Sequence, residues 1–380
     1  MITSISIRNY KVHKDTHIRL ANLTVLAGQN SSGKSSIIQS LLLLRQSYLK
    51  DNLQYGLQLQ GECCNVGLVD DAICQYADDD TIYFSVETMS SCWEWIFSRQ
   101  DNSSMKDMIP IVSAHKQVNG DEEPVFFTND FQYISAARWE PRESYPLNTS
   151  AVELRHQLSS EYGLCDLVAH YIYYYGNELH VLINPALKFE GVESLYLLDQ
   201  VSAWERAISA GVNVSVQKEG KAFSLKYSYT PDGDFIPSRE FSATNVGYGL
   251  SYALPIIVAM LTAKQGSMIL VENPEIHLHP QGQAALAKLI ARTAQSGVQV
   301  VVETHSDHII NGILVASKQF ENEGVGVDKG NVEIYQCVKS PKTQLAELSA
   351  VRIVGDGKID SQPLGFFDQT EKDLQYLMGF

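Results

Sequence analysis

The segment LTVLAGQNSSGKSSIIQSLLLL, residues 23–44, holds the side chains best suited to chemistry in this 380-residue chain. Its centre reads G-x-x-x-x-G-K-S without a gap: Gly28, Gly33, Lys34 and Ser35, with Asn30, Ser31 and Ser36 in the same loop. Glycines let a backbone wrap closely round phosphates, Lys34 can reach the β- and γ-phosphates, and the Ser35 hydroxyl can ligate Mg²⁺. Such a loop works between a strand end and a helix start, where unpaired N–H groups and the positive end of the helix dipole collect anions. The flanks meet that demand. Leu23, Val25 and Ala27 alternate as in a strand, and residues 37–44 read as a buried helix. The expectation is a nucleoside-triphosphate site.

A triphosphate loop needs a carboxylate to hold Mg²⁺, normally at the end of a neighbouring buried strand. SMILVENPEIHLHP supplies one at Glu272, after four apolar residues, and VQVVVETHS ends a second strand at His305, placed to sense the γ-phosphate. The residue after Glu272 is Asn273, which cannot accept a proton; either Glu275 orients the attacking water or turnover is slow. His277 and His279 stand two apart beside acids, as a metal pair would, or as part of a contact loop. Arg138 and Arg142 in SAARWEPR either touch nucleotide or brace their segment through ion pairs, and bracing is preferred.

These residues need elements to position them. SISIRNYK and HIRLANLTVLAG read as two alternating strands leading into the loop. Residues 88–130 are weakly patterned and read as loops around short elements. FQYISAARWEPRESYPL starts as a strand, residues 151–210 are mostly helical in spacing, and VNVSVQKEGKAFSLKYSY alternates on both sides of Gly220 as a hairpin does. The tyrosines of YIYYYG read as packing residues. From Ser242 on, buried strands alternate with helices, which predicts a parallel sheet covered on both faces and shared with the loop strand. Four regions result: 1–75 with the phosphate loop, 76–235 as an inserted α+β region, 236–320 with the strand-end acids, and 321–380 as a tail.

Composition narrows the function classes. A formal net charge of −15, from 44 acidic against 29 basic residues, argues against an evenly basic nucleic-acid binder. Six cysteines are scattered with no C-x-x-C pair, which points to neither a zinc site nor a disulfide framework and so to a reducing compartment. No apolar run approaches the ~20 residues of a membrane span. A cytoplasmic protein is expected.

The order of phosphate loop, glycine-rich helix start, ENPEIHLHP and ETHS resembles the ABC-class ATPases of the SMC, RecF and OLD type. It is most similar to small bacterial AAA-annotated ATPases carrying E-[EN]-P-E-x-H-L-H-P, and the tail PLGFFDQTEKDLQYLM is similar to a C-terminal domain of unknown function found on some of them. The resemblance implies an α/β ABC-type ATPase head with a split P-loop nucleotide fold. It implies ATP and Mg²⁺ as cofactors, Glu272 and Ser35 at the metal, and Glu275, Asn273 and His305 around the chemistry. Asn245, Gly247 and Gly249 in TNVGYGLSYAL match the signature motif, which would meet the nucleotide of a second copy in an ATP-bound homodimer. Gln60 and Gln75 both lie where a Q-loop glutamine falls. By the same resemblance, the dimer would be a switch for a partner effector, a nuclease or toxin, in anti-phage defence. The alternative is a RecF- or SMC-like DNA-processing ATPase, with nucleic acid as a further partner; long heptad arms are missing. An OLD-type nuclease would need an acid cluster after His305, where only single acids stand, so no intrinsic nuclease is expected.

Overall fold

A computed structural model describes residues 1–99, 107–118, 123–231, 233, 236–360 and 369–378. The chain opens with β1 (Ile2–Tyr10) and β2 (His13–Arg19), then β3 (Leu23–Gly28), which runs through the phosphate loop into α1 (Lys34–Leu49). The short β4 (Gly56–Gln58) and α2 (Val69–Ala72) precede β5 (Thr81–Thr88), β6 (Ser91–Ser98), β7 (Met108–Val118), β8 (Phe131–Ile134) and β9 (Tyr145–Pro146). Next come α3 (Val168–Ile172), α4 (Leu197–Arg206), β10 (Val212–Glu219), β11 (Ala222–Tyr229) and β12 (Phe241–Ser242). The last part is α5 (Tyr248–Thr262), β13 (Met268–Glu272), α6 (Pro280–Gln295), β14 (Gln299–Thr304), α7 (Asp307–Glu323), β15 (Val332–Lys339), β16 (Ala346–Val351), β17 (Ile353–Gly355), β18 (Lys358–Ile359) and α8 (Gln369–Met378).

The central sheet has the order β16-β15-β3-β14-β13-β8. Its strands are parallel except β16. Alternation along the strands explains why it is covered on both faces. Val25, Ala27, Val271, Val300 and Val302 enter one core with α5, α6 and α7. Leu26, Leu270 and Val301 enter another with α1 and the antiparallel sheet β2-β1-β5-β6-β7-β4. The sheet shared between the loop strand and the C-terminal half is therefore present, and so is the Gly220 hairpin as β10 and β11.

Two sequence expectations meet a different outcome. Residues 88–130 hold the long strands β6 and β7, because Trp93, Trp95 and Phe97 point inward from a strand whose intervening residues are polar or only half-buried. The residues assigned to an inserted region also supply strands to three sheets: β5 to β7 extend the β1 hairpin, β8 edges the central sheet, and β9 to β11 build a third.

Candidate functional site

The loop leaves the C-terminal end of β3, with β14 and β15 on either side. Geometry demands glycine twice. At Gly28, φ is +140° and a Cβ would lie 2.1 Å from the Cys337 carbonyl oxygen; at Gly33, φ is +97° and a Cβ would meet the His13 ring and Val12 at 2.8 Å. Buried His13 supports the loop from below: Nε2 lies 2.9 Å from the Gly33 carbonyl and Nδ1 3.0 Å from the Thr16 hydroxyl. Burial lowers its pKa, so the ring is neutral, with the proton on Nε2 facing the carbonyl. No motif marked His13, since its partner is a backbone atom twenty residues away.

Lys34 lies inside the loop. Its Nζ donates to the Gly28 carbonyl at 3.1 Å and the Gln29 carbonyl at 2.7 Å, and burial pushes the ammonium below the usual lysine range. The Ser35 hydroxyl donates to Glu303 Oε1 at 2.8 Å. Above them opens a cleft of about 390 Å³, lined by residues 30–36 together with Lys11, Val12, Asn273, Glu303, His305 and Lys339. The loop residues Asn30, Ser31, Gly33, Lys34, Ser35 and Ser36 thus share this cleft with Asn273 and His305.

The acids divide their tasks. Glu272 and Glu303 stand side by side in register across β13 and β14. Glu272 Oε2 accepts the Ala136 N–H at 3.2 Å, and burial raises its pKa. The Glu303 carboxyl is pushed up to about 7 by burial and by the Glu272 charge, and its Oε2 is buried without a hydrogen-bond partner. Glu303 was not among the expected site residues; the signal available was a lone acid near the end of an otherwise apolar strand. Glu275 accepts the Thr304 hydroxyl and the His305 N–H, both at 2.8 Å. The His305 pKa is lowered by burial and by nearby Lys34.

Asn273 adopts φ 43°, a conformation uncommon outside glycine, and its N–H donates to the Glu303 carbonyl at 2.8 Å. Arg138, buried, braces this turn by donating to the carbonyls of Ser135, Glu272 and Asn273, each at 2.8 Å. Arg142 stacks on Trp139 with 3.8 Å to the ring centroid. Gln60 and Gln75 do not line the cleft. Gln60 instead donates to the Gly67 carbonyl.

The glycine-rich helix start lies apart from the cleft within this chain. Asn245 and Gly247 are exposed, and α5 begins at Tyr248 with no side-chain cap. Gly249 packs against the turn after β13, where a Cβ would sit 2.7 Å from the His277 carbonyl oxygen. The His277 ring meets Tyr248 and Tyr252 at centroid distances of 5.7 and 4.8 Å, and His279 caps α6. Among the described residues no group of three His, Cys, Asp or Glu could hold a metal alone. A metal beside Ser35 would complete its shell with phosphate oxygens, the usual habit of Mg²⁺.

Comparison with known proteins accords with this layout. Residues 1–135 match the family model "AAA ATPase domain", and residues 229–311 match "AAA domain, putative AbiEii toxin, Type IV TA system". No curated protein matches the chain. Among solved structures, an SMC head bound to the C-terminal winged-helix domain of ScpA is 11% identical with a TM-score of 0.52, over 93% of this chain and 98% of that one. A Thermotoga maritima SMC head domain is 10% identical with a TM-score of 0.45, over 93% and 99%. A Pyrococcus furiosus Smc head with an extended coiled coil is 11% identical with a TM-score of 0.49, over 99% of both chains. The first of these three carries the fold comparison, and at that identity it speaks to fold alone. No helix among the described residues is long and apolar enough to cross a membrane. The two matched segments meet along β3 and β14 in a single sheet, so the chain is similar to AAA-type ATPase models in both halves of that sheet and has the fold of an ABC-type ATPase head.

Proposed function

We propose that the chain is a nucleotide-dependent switch: ATP and Mg²⁺ bind at the 28–36 loop, two copies close on two nucleotides, and slow hydrolysis releases them. The observation that carries this reading is the bare, exposed start of α5 at Gly247, well placed to meet an anion outside its own chain. In the cleft, Lys34 would turn from its loop carbonyls to the β- and γ-phosphates, and the N–H groups at the start of α1 would cradle them. Ser35 and an acid from the strand ends would hold Mg²⁺, which when bound would supply charge neutralisation on the transferring phosphoryl group. The orphaned Glu303 oxygen fits such a cation. Asn273, His305 and Glu275 would order the water and γ-phosphate.

The closed dimer would signal, in the cytoplasm, to an effector of nuclease or toxin class in anti-phage defence. The 229–311 match to a model whose description names a toxin system supports that context. The inserted region and tail, 76–235 and 321–380, would carry the signal. Cleavage chemistry would reside in the partner, since two-metal hydrolysis needs several convergent carboxylates.

Binding of ATP with Mg²⁺, followed by calorimetry, tests the first step. Lys34→Ala should weaken affinity by roughly 10- to 100-fold, as expected for losing a charge-assisted contact to phosphate. Unchanged affinity removes the site assignment.

A further inference from the structure

We propose that Glu303, rather than Glu272, is the acid that faces the metal in this nucleotide site. The inference rests on the nucleotide reading of the cleft and goes beyond it by naming the ligand.

Topology comes first. β14 lies directly beside the loop strand β3, and β13 lies one strand further away. Neighbouring strands are spaced by roughly 4.8 Å, so an acid ending β14 starts that much nearer to Ser35 than one ending β13. Glu303 is opposite Leu26 and Thr304 opposite Ala27, which sets the Glu303 carboxylate at the root of the loop.

The side chains then divide accordingly. Glu303 Oε1 accepts the Ser35 hydroxyl at 2.8 Å, and this hydroxyl is the group that a phosphate loop offers to Mg²⁺. Glu303 is only 5% exposed, and its Oε2 has no hydrogen-bond partner. A buried carboxylate oxygen is rarely left in that state unless something else satisfies it. Glu303 lines the cleft together with Ser35; Glu272 does not. Glu272 is instead engaged on the far side, where its Oε2 takes the Ala136 N–H and its backbone carbonyl takes Arg138. A hard divalent cation shared between Ser35 Oγ and Glu303 Oε2 would satisfy the orphaned oxygen and leave the Glu272 contacts intact. Glu272 then acts as a positioning residue that fixes the β8–β13 edge.

The test compares ATP affinity in Mg²⁺ and in EDTA for the full chain and for Glu303→Gln and Glu272→Gln, both near-isosteric. Circular dichroism and thermal melting confirm that each variant is folded. Glu303→Gln should reduce the Mg²⁺-dependent gain in affinity at least tenfold, with affinity in EDTA unchanged or improved because a negative charge near the phosphates is gone. Glu272→Gln should keep most of the Mg²⁺ gain. Electron paramagnetic resonance of Mn²⁺ with ATP gives a second readout, and only Glu303→Gln should release Mn²⁺ from the protein-bound nucleotide. A full Mg²⁺ gain in Glu303→Gln, or its loss in Glu272→Gln alone, overturns the assignment. Wild-type protein that binds no ATP in either buffer overturns the proposed function itself, and is recognised by that control before any variant is read.

Discussion

Both oxygens of Glu275 are engaged, one by the Thr304 hydroxyl and one by the His305 N–H, so under the proposed function this acid would act on the cleft through the turn that carries His305. Sequence reasoning cast it as the residue orienting water, and the contacts route that influence through His305. Glu275→Gln replaces one acceptor by a donor and should let the turn relax by a fraction of an ångström. Misplacement on that scale costs roughly 10- to 100-fold in rate while leaving ground-state binding nearly intact. Glu275→Gln is therefore expected to bind ATP normally, release phosphate slowly and hold the ATP-bound dimer, with His305→Ala behaving alike. Phosphate release at the wild-type rate in Glu275→Gln would make the residue a simple loop cap. At this scale the phosphate loop was legible because its spacing is local. Glu303 and His13 were not, because their meaning depends on register and on a fold-back that no window of sequence contains.

The helix α5 links the exposed glycine-rich start to the interior. A Cβ at Gly249 would lie 2.7 Å from the His277 carbonyl oxygen, so the start of α5 is packed closely on the turn after β13. Gly249→Val would drive side-chain atoms into that carbonyl and tilt the first turn. It should leave ATP affinity unchanged but abolish ATP-induced dimers in sedimentation velocity; dimers at the wild-type level would sever α5 from the switch. Deeper in, α4 packs on α5 and carries Glu205, fully buried with neither carboxylate oxygen paired. Burial holds this carboxyl well above its ordinary range. The folded state therefore keeps a proton that the unfolded chain releases near pH 4.3, about the usual glutamate value. Stability from this group is fully present below that pH and declines as pH rises toward the folded value. Glu205→Gln removes the titration. The stability of Glu205→Gln relative to wild type in urea unfolding should rise by more than about 1 kcal/mol between pH 5 and pH 8, since each tenfold difference in proton affinity between folded and unfolded chain is worth about 1.4 kcal/mol. An offset equal at both pH values would show that Glu205 does not titrate on unfolding.

Across the whole molecule, the parallel sheet was legible because buried strands and helices alternate after Ser242 in long, unbroken patterns. The antiparallel sheet was less so: β5 pairs with β1 across some seventy residues, and only the folded chain shows that register. The molecule carries a net charge of −15, yet Lys11, Lys34 and Lys339 converge on the cleft. Two such chains closing face to face bring like net charges together, and Mg-ATP itself remains anionic. Screening should therefore assist closure. The Debye length falls from about 30 Å at 0.01 M to about 10 Å at 0.1 M ionic strength, a range over which repulsion between whole subunits fades while contacts within a dry interface persist. Dimerisation with Mg-ATP is expected to tighten by roughly 3- to 10-fold when salt is raised from about 10 to 150 mM. ATP binding to the single chain should weaken modestly over the same range, because there the lysines attract the phosphates. Sedimentation equilibrium with a hydrolysis-slowed variant at both salts separates the two effects. A dimer that loosens as salt rises would mean that complementary charge at the interface, rather than the nucleotide sandwich, holds the two copies together.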